Sequence, residues 1–139
     1  MHILDTDTVS HMHRGHPRVA ERLRRLEDHV VGTTIVTEVE ALYGRLEFLM
    51  KAESGAQLLR AQRWLYETED LFDSMLVVPF DDEAARRFDL LREDPATRRM
   101  GRADMLIASI TLAHRAILVT RNTKHFECVP GLQTVNWVD

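Results

Sequence analysis

The sequence predicts an α/β fold with a mainly parallel central β-sheet that is flanked by α-helices on both faces. Short apolar runs alternate along the chain with segments whose apolar residues recur at helical spacing, which is typical of strands separated by helices. The 139 residues suffice for one hydrophobic core and are too few for two. The sequence contains no internal repeat or linker, so we expect a single domain over residues 1–139.

Composition and charge exclude several classes of protein. With 45% apolar and 29% charged residues, the chain is neither collagen-like, low-complexity nor disulfide-rich. Its net charge of −4 argues against a protein that coats nucleic acid nonspecifically. The longest nearly apolar stretch, Met105–Ala113, is far shorter than the roughly 20 residues of a membrane span, and Cys128 is the only cysteine. The first residues also lack the basic and apolar runs of a signal peptide, so we expect a cytoplasmic protein with no membrane partner.

The sequence of the first half of the chain predicts two strands and the first helices. His2–Leu4 is a short apolar run that predicts a strand ending at Asp5. A helix is predicted from Pro17, because proline suits the first helical turn. His29–Gly32 is predicted as the second strand, and Thr34–Met50 as a helix with one apolar stripe.

The second half of the chain continues the alternation of strands and helices. Met75–Phe80 is predicted as a strand because it contains a β-branched pair and ends near a proline. Asp81 or Asp82 is predicted to cap a helix that runs to Arg92, because aspartate accepts hydrogen bonds from free N–H groups. The other segments are predicted as a helix over Gln57–Phe72, a loop over Asp94–Gly101, a helix over Arg102–His114, a strand over Ala116–Thr120, a loop over Arg121–Pro130 and a last strand over Gln133–Val138.

Polar side chains follow two of the predicted strands. In open parallel sheets, ligands bind outside the carboxyl ends of the strands. Asp5 and Asp7 come directly after the first strand, and Thr120, Arg121 and Asn122 come at the end of the fourth. We therefore expect these side chains to meet at one edge of the sheet.

Two further acids, Glu40 and Asp104, lie near predicted helix starts in apolar surroundings. The acids also have structural interpretations, with Asp5 as a helix cap, Glu40 as the partner of Thr37 in a capping box and Asp104 as a complement to the helix dipole. The set favours a functional role, because Asp104 begins an otherwise apolar helix, where a charge is costly unless it is paired or bound to a metal.

Three carboxylates brought together would repel one another and raise their own pKa values. A divalent cation removes this penalty, and Mg²⁺ and Mn²⁺ prefer oxygen ligands. An all-oxygen acidic site indicates phosphoryl chemistry, in which the metal polarises a phosphate and lowers the pKa of the attacking water.

Several segments, spread in order over essentially the whole chain, match one protein family. They are Ile3–Ser10, Glu40–Gly44, Gly101–Ala108, Leu118–Phe126, and Val129–Leu132 followed by Trp137. In these segments the chain resembles the PIN-domain family, and within it the VapC-type and FitB-like toxins of bacterial type II toxin–antitoxin pairs. The resemblance implies a Mg²⁺- or Mn²⁺-dependent ribonuclease that hydrolyses RNA phosphodiester bonds.

By position, Asp5, Glu40 and Asp104 fall on the metal-site acids of that family. The resemblance implies that Asp5 and Asp104 are the principal ligands and that Glu40 binds the metal directly or through water and helps to orient the attacking water. Asn122 occupies a fourth position that is often aspartate in the family, so this site carries one charge fewer. Asp7 stands where many relatives have asparagine. It would support the site by adding negative charge, or it would cap the following helix, and we expect the cap.

The other residues of the implied site would support the acids or contact the substrate. Thr6 is expected to support the site next to Asp5. Thr120 is expected to form hydrogen bonds, together with Asn122, near the metal or the scissile phosphate. Phosphate contacts position a strand without reading its sequence. The cations placed to make them are Arg102, Arg121 and Lys124.

The resemblance also implies protein partners. Toxins of this family are usually homodimers that are held inactive by a cognate antitoxin, whose C-terminal segment lies across a helical hairpin and the active site. In this chain the hairpin would span about Thr34–Phe72, and it contains more apolar residues than one buried face needs.

A different enzyme class shares the first motif. Ile3–Thr8 also looks like the opening motif of haloacid-dehalogenase-type phosphatases, with Asp5 as covalent nucleophile and Asp7 as acid and base. That family needs a lysine before its last acidic motif, and only Lys51, inside a predicted helix, precedes Asp104.

Further alternatives concern other uses of the chain. A free-standing PIN nuclease in RNA processing fits the same motifs, and so does a catalytically weak PIN binding module, which Asn122 would favour. A zinc site at His11, His13 and His16 is another interpretation, but no cysteine or glutamate at ligand spacing surrounds these histidines.

Overall fold

Five parallel strands form the sheet at the centre of the molecule. The structure is a computed structural model that describes residues 1–28 and 30–139. The strands are β1 (His2–Leu4), β2 (Val31–Thr34), β3 (Leu76–Val78), β4 (Ile117–Val119) and β5 (Gln133–Val135), in the spatial order β3-β2-β1-β4-β5. The helices are α1 (Thr6–His13), α2 (Pro17–Arg25), α3 (Ile35–Met50), α4 (Gly55–Asp73), α5 (Asp82–Glu93), α6 (Arg102–Ala113) and α7 (Thr123–Phe126). The predicted fold class is confirmed.

The carboxyl ends of β1 and β4 finish level with each other, and β2 extends one residue further. β1 is the central strand, and its register places Leu4 beside Thr33 of β2 and Val119 of β4. The residues that follow β1 and β4, Asp5 and Thr120, therefore leave the sheet at the same edge. This edge is where ligands bind in open parallel sheets.

The sheet separates two layers of buried side chains. Because side chains alternate along a strand, Ile3 and Leu118 pack on one face, and Leu4 and Val119 pack on the other. The first layer is completed by α5 and α6, and the second by α1, α2, α4 and Trp137. Helices thus cover both faces, as the sequence predicts.

The second strand differs most from its prediction. β2 begins and ends two residues later than the predicted strand His29–Gly32, and His29 lies outside the described residues. The prediction missed Thr33 and Thr34 because they are polar, although both are fully buried. The Thr33 hydroxyl donates to the carbonyl of Leu4 at 2.7 Å, and the Thr34 hydroxyl caps α3. These hydrogen bonds let polar side chains occupy a buried strand end.

Two predictions near the C-terminus are wrong in part. The predicted loop Arg121–Pro130 contains α7, and the predicted strand Gln133–Val138 ends at Val135. The side-chain oxygen of Asn136 accepts from the backbone N–H groups two and three residues later, at 2.8 and 3.2 Å, which turns the chain away from the sheet.

Within the described residues, no helix combines the length and the apolar character needed to cross a membrane.

Candidate active site

Asp5 and Thr120 lie at the edge of the sheet where β1 and β4 end. The backbone N–H of Asp5 donates to the carbonyl of Val119 at 3.0 Å, and the side chains of Asp5 and Thr120 are buried. Asp5 is also the N-cap of α1, because its Oδ1 accepts from the backbone N–H of Thr8 at 2.8 Å. A carboxylate offers about four lone-pair positions, so this cap leaves Asp5 able to bind a ligand as well.

The hydroxyl of Thr6 connects Glu40 to the end of β1. It donates to Oε1 of Glu40 at 2.9 Å, and its oxygen lies 3.0 Å from the hydroxyl oxygen of Thr37. Because Thr6 directly follows Asp5, this bond brings Glu40 of α3 to the same edge of the sheet. The capping-box interpretation of Glu40 is wrong, since Thr34 caps α3 and Glu40 lies beyond its first turn. Thr37 was not predicted as a site residue, and only this fold-dependent contact reveals it.

Asp104 lies in the first turn of α6 and faces the loop that follows β4. Its Oδ2 is 3.6 Å from Nδ1 of His125, and the backbone N–H of His125 donates to the carbonyl of Asn122 at 3.0 Å. Asp104 therefore approaches the segment that carries Asn122. The cap residue of α6, Gly101, provides no side-chain hydrogen bond, so Asp104 also complements the helix dipole as its structural interpretation predicts.

A tight turn fixes the backbone after β4. The hydroxyl oxygen of Thr120 accepts from the backbone N–H of Asn122 at 3.1 Å. Thr120 is fully buried, whereas the side chain of Asn122 is exposed and does not cap α7. Lys124 is exposed on α7. The turn thus presents an amide and an ammonium group to solvent beside the strand ends.

The acids form a connected but open arrangement. Thr6 links Glu40 to the end of β1 at Asp5, and His125 links Asp104 to the loop after β4. Across residues 1–28 and 30–139, no three His, Cys, Asp or Glu side chains lie close enough together to hold a metal ion. The donors at this edge are carboxylate, hydroxyl and amide oxygens, which are the ligands that Mg²⁺ and Mn²⁺ prefer, so the donor set fits such a cation chemically.

A model of the PIN domain matches residues 2–132. The chain belongs to the PIN-domain family.

Solved structures share the fold of this PIN domain. A chain of VapBC2 from Rickettsia felis, bound to a DNA fragment from its promoter, is 25% identical with a TM-score of 0.75, and the match covers 98% of both chains. A chain of DNA-bound VapBC from Salmonella typhimurium is 25% identical with a TM-score of 0.78, covering 98% of this chain and 97% of the other. A chain of FitAcB from Neisseria gonorrhoeae is 25% identical with a TM-score of 0.71 and the same coverage. None of the curated proteins compared with the PIN domain matches it.

The predicted role of Asp7 as a helix cap is wrong for this PIN domain. Asp5 is the cap of α1, and Asp7 lies in the first helical turn, with its Oδ2 3.5 Å from Nε2 of His11. The rings of His11 and His16 meet edge to face with centroids 5.1 Å apart. No metal-binding trio forms there or elsewhere among the described residues, so the zinc interpretation has no geometric support.

Two predicted phosphate-contacting arginines of the PIN domain already have partners. The guanidinium of Arg121 donates two hydrogen bonds to the carboxylate of Asp139, each of 3.1 Å. Hydrogen bonds from Asn136 and Arg121 hold the pKa of Asp139 below its usual value. The guanidinium carbon of Arg102 lies 5.9 Å from the ring centroid of Phe88, which leaves its N–H groups able to bind an anion.

Proposed function

We propose that this PIN domain is a Mg²⁺- or Mn²⁺-dependent endoribonuclease and the toxin of a type II toxin–antitoxin pair that acts in the cytoplasm. The observation that carries the proposal is the edge of the sheet at which Asp5 follows β1 and Thr120 follows β4, with Glu40 hydrogen-bonded there to Thr6 and Asp104 facing the loop after β4. Membership of the PIN-domain family and similarity to chains of VapBC and FitAcB support this assignment.

In the proposed reaction, Asp5 and Asp104 would hold the divalent cation. A bound cation would polarise the scissile phosphate and lower the pKa of the attacking water. Glu40 completes the site directly or through water, and its carboxylate accepts a hydrogen bond from the attacking water and orients it. Thr6 keeps Glu40 at the strand edge through its 2.9 Å hydrogen bond.

The remaining polar groups position the RNA strand. The side chains of Thr120 and Asn122 hydrogen-bond near the scissile phosphate at the end of β4. Arg102 and Lys124 contact flanking phosphates, and Arg121 exchanges its carboxylate partner for a phosphate. Contacts of this kind fix the register of the strand and carry no sequence information.

The exposed apolar side chains of α3 and α4 support the proposal that this protein binds protein partners. Tyr43, Met50 and Leu59 are 67%, 80% and 65% exposed. An apolar surface of this kind marks an interaction site. We assign it to the cognate antitoxin, and we propose that the toxin itself is a homodimer. Sedimentation equilibrium of the purified chain tests the dimer, and the mass of a single chain at all concentrations would contradict it.

The ribonuclease is tested by incubating the antitoxin-free chain with labelled total RNA in EDTA, Mg²⁺ or Mn²⁺. Asp5→Asn removes a proposed metal ligand, and Asp89→Asn is the matched control because it makes the same change at an exposed position of α5. We expect metal-dependent cleavage by the wild type and by Asp89→Asn, and none by Asp5→Asn. Equal cleavage by all three proteins would indicate a contaminating nuclease and would remove the support for this site.

A second candidate function is a PIN module that binds RNA without cleaving it. The exposed carboxamide of Asn122, at a position where a fourth carboxylate would add charge, favours this candidate. Asn122→Asp separates the two functions. If the wild type binds RNA but leaves it intact, and Asn122→Asp cleaves it with Mn²⁺, the binding module is the correct description.

A further inference from the structure

A pocket lined by arginines lies beside the start of α6. It is an open pocket of about 440 Å³ that is bounded by the end of α5, the connection over residues 94–101 and the first turn of α6. Its lining includes Phe88 and four arginines, Arg92, Arg98, Arg99 and Arg102. We call these five residues the arginine pocket.

The charges of the arginine pocket are not neutralised by acids of the same chain. None of its four guanidinium groups forms an ion pair with a carboxylate among the described residues. Arg86 and Arg87, on the same helix as Arg92, both pair with Glu83. In a chain of net charge −4, the pocket therefore concentrates positive charge that an external anion can bind.

An aromatic ring orients two of the guanidinium groups. The guanidinium carbons of Arg92 and Arg102 lie 5.8 and 5.9 Å from the centroid of the Phe88 ring. Both distances are within the range of cation–π attraction. Because a guanidinium held on a ring keeps its N–H groups free, these two arginines can still form bidentate bonds with an anion.

Hydrogen bonds fix the connection that carries the other two arginines. The buried hydroxyl of Thr97 donates to the carbonyl of Leu91 at 2.6 Å. The side chain of Asp94 accepts from the backbone N–H of Ala96 at 2.9 Å, and its carbonyl accepts from that of Arg98 at 2.8 Å. A fixed backbone lowers the entropy cost of ordering Arg98 and its neighbour when a ligand binds.

We propose that the arginine pocket binds phosphates of a single-stranded RNA that flank the phosphate at Asp104. Arg102 lines the pocket and Asp104 faces the loop after β4, both from the first turn of α6, so a strand that bends around the start of this helix can contact both. A phosphate backbone carries regularly spaced charges and can engage several separate guanidinium groups at once. The inference rests on the proposed function for the position of the cleaved phosphate, whereas binding itself requires no cleavage.

The test measures RNA binding in EDTA, where metal-dependent cleavage is absent. Fluorescence anisotropy of a labelled, unstructured single-stranded RNA compares the wild type with the double variant Arg98→Gln/Arg99→Gln over a series of salt concentrations. We expect the double variant to bind about tenfold more weakly and its plot of log affinity against log salt to be flatter by about 1.4, because each lost phosphate contact contributes about 0.7 on a single strand. The control is Arg60→Gln/Arg63→Gln, which makes the same charge change at exposed positions of α4.

A charge-retaining double variant and a test of folding keep the result interpretable. Arg98→Lys/Arg99→Lys retains the charge and is expected to recover the salt dependence but only part of the affinity, because lysine lacks the bidentate fork. Circular dichroism confirms that each variant is folded. Unchanged RNA affinity in Arg98→Gln/Arg99→Gln, or the same loss in the α4 control, would overturn the proposal.

A labelled polyglutamate peptide tests an acidic protein segment as the occupant instead. If only the peptide, and not the RNA, loses affinity in Arg98→Gln/Arg99→Gln, the pocket binds protein and the proposal fails. Cleavage in Mn²⁺ is measured separately. If RNA binding depends on the arginines but no cleavage occurs, the pocket proposal stands and the ribonuclease proposal is rejected. If cleavage occurs but RNA binding does not depend on the arginines, the ribonuclease proposal stands and the pocket proposal is rejected.

Discussion

Single side chains at the strand ends serve the fold and the candidate site together. Asp5 caps α1 with one carboxylate oxygen while it lies at the edge where β1 and β4 end. Thr6 shares its hydroxyl between Thr37 and Glu40 on α3. Substitution at these positions therefore needs a companion variant that separates a loss of stability from a loss of reaction rate.

Thr6 is predicted to be a positioning residue for Glu40. In Thr6→Val the side chain keeps its shape but can no longer donate the hydrogen bond. A hydrogen bond of this kind contributes about 0.5–1.5 kcal/mol, so we expect RNA cleavage at saturating RNA to slow by about fivefold, with the KM for RNA nearly unchanged. Single-turnover cleavage assays in Mn²⁺ give the rate.

Thr6→Ser provides the control for this prediction, because serine restores the donor without the methyl group. We expect it to recover most of the wild-type rate. If Thr6→Ser is as slow as Thr6→Val, the methyl packing and not the hydrogen bond matters, and Thr6 has no positioning role.

The contacts that assemble the candidate site are long-range, which limited what the sequence could show. The motif resemblance proposed Asp5, Glu40 and Asp104 as site residues, but the hydrogen bond between Thr6 and Glu40 spans 34 positions. No local period predicts such a contact. The ion pair of Arg121 with the C-terminal residue, 18 positions away, was missed for the same reason.

At the level of whole elements, the close approach of β2 and β3 depends on Gly32. A Cβ atom at this position would lie 2.6 Å from the backbone carbonyl oxygen of Leu76. Backbone atoms in a paired strand cannot move aside without loss of ladder hydrogen bonds. We therefore expect Gly32→Ala to lower the free energy of unfolding by about 1–3 kcal/mol, as measured by urea denaturation.

Gly44→Ala is the matched control for this stability prediction. It lies in the interior of α3, and an added Cβ would meet no atom within 4 Å. Alanine is the better helix former by roughly 0.5–1 kcal/mol, so this variant is expected to be more stable than the wild type. A Gly32→Ala variant as stable as Gly44→Ala would show that the strands can separate at little cost.

The elements with a clear period were predicted well, and those without one were not. The spacing of apolar residues located α3 and α4, the aspartate cap located α5 and the apolar run located α6, each to within two residues at each end. The four residues of α7 are too few to show a helical period. β2 ends in buried threonines whose hydrogen bonds depend on neighbouring elements. A prediction based on residue polarity therefore ended this strand before the threonines.

For the molecule as a whole, the proposed cation should stabilise the folded state. A ligand that binds only the native chain raises the free energy of unfolding by RT ln(1 + [L]/Kd), about 2.7 kcal/mol at one hundred times Kd. We expect Mn²⁺ to raise the stability of the wild type and of Asp89→Asn in urea denaturation. Asp5→Asn and Asp104→Asn should show no such increase.

This measurement does not depend on RNA or on cleavage. Stabilisation of equal size in all four proteins would place the cation somewhere other than the acidic edge. No stabilisation of the wild type at millimolar Mn²⁺ would contradict the proposed metal dependence.

The central position of β1 sets the time at which the site can exist during synthesis. β1 is the first strand to be made, yet the Thr8 hydroxyl beside it donates to Val119 of β4, 111 positions later. Pairings between such distant segments form late in folding. A growing chain on the ribosome therefore carries Asp5 without the strand that completes its surroundings. Any activity of this edge begins only when nearly the whole chain has emerged. An inhibitory partner that is made at the same time can fold before then.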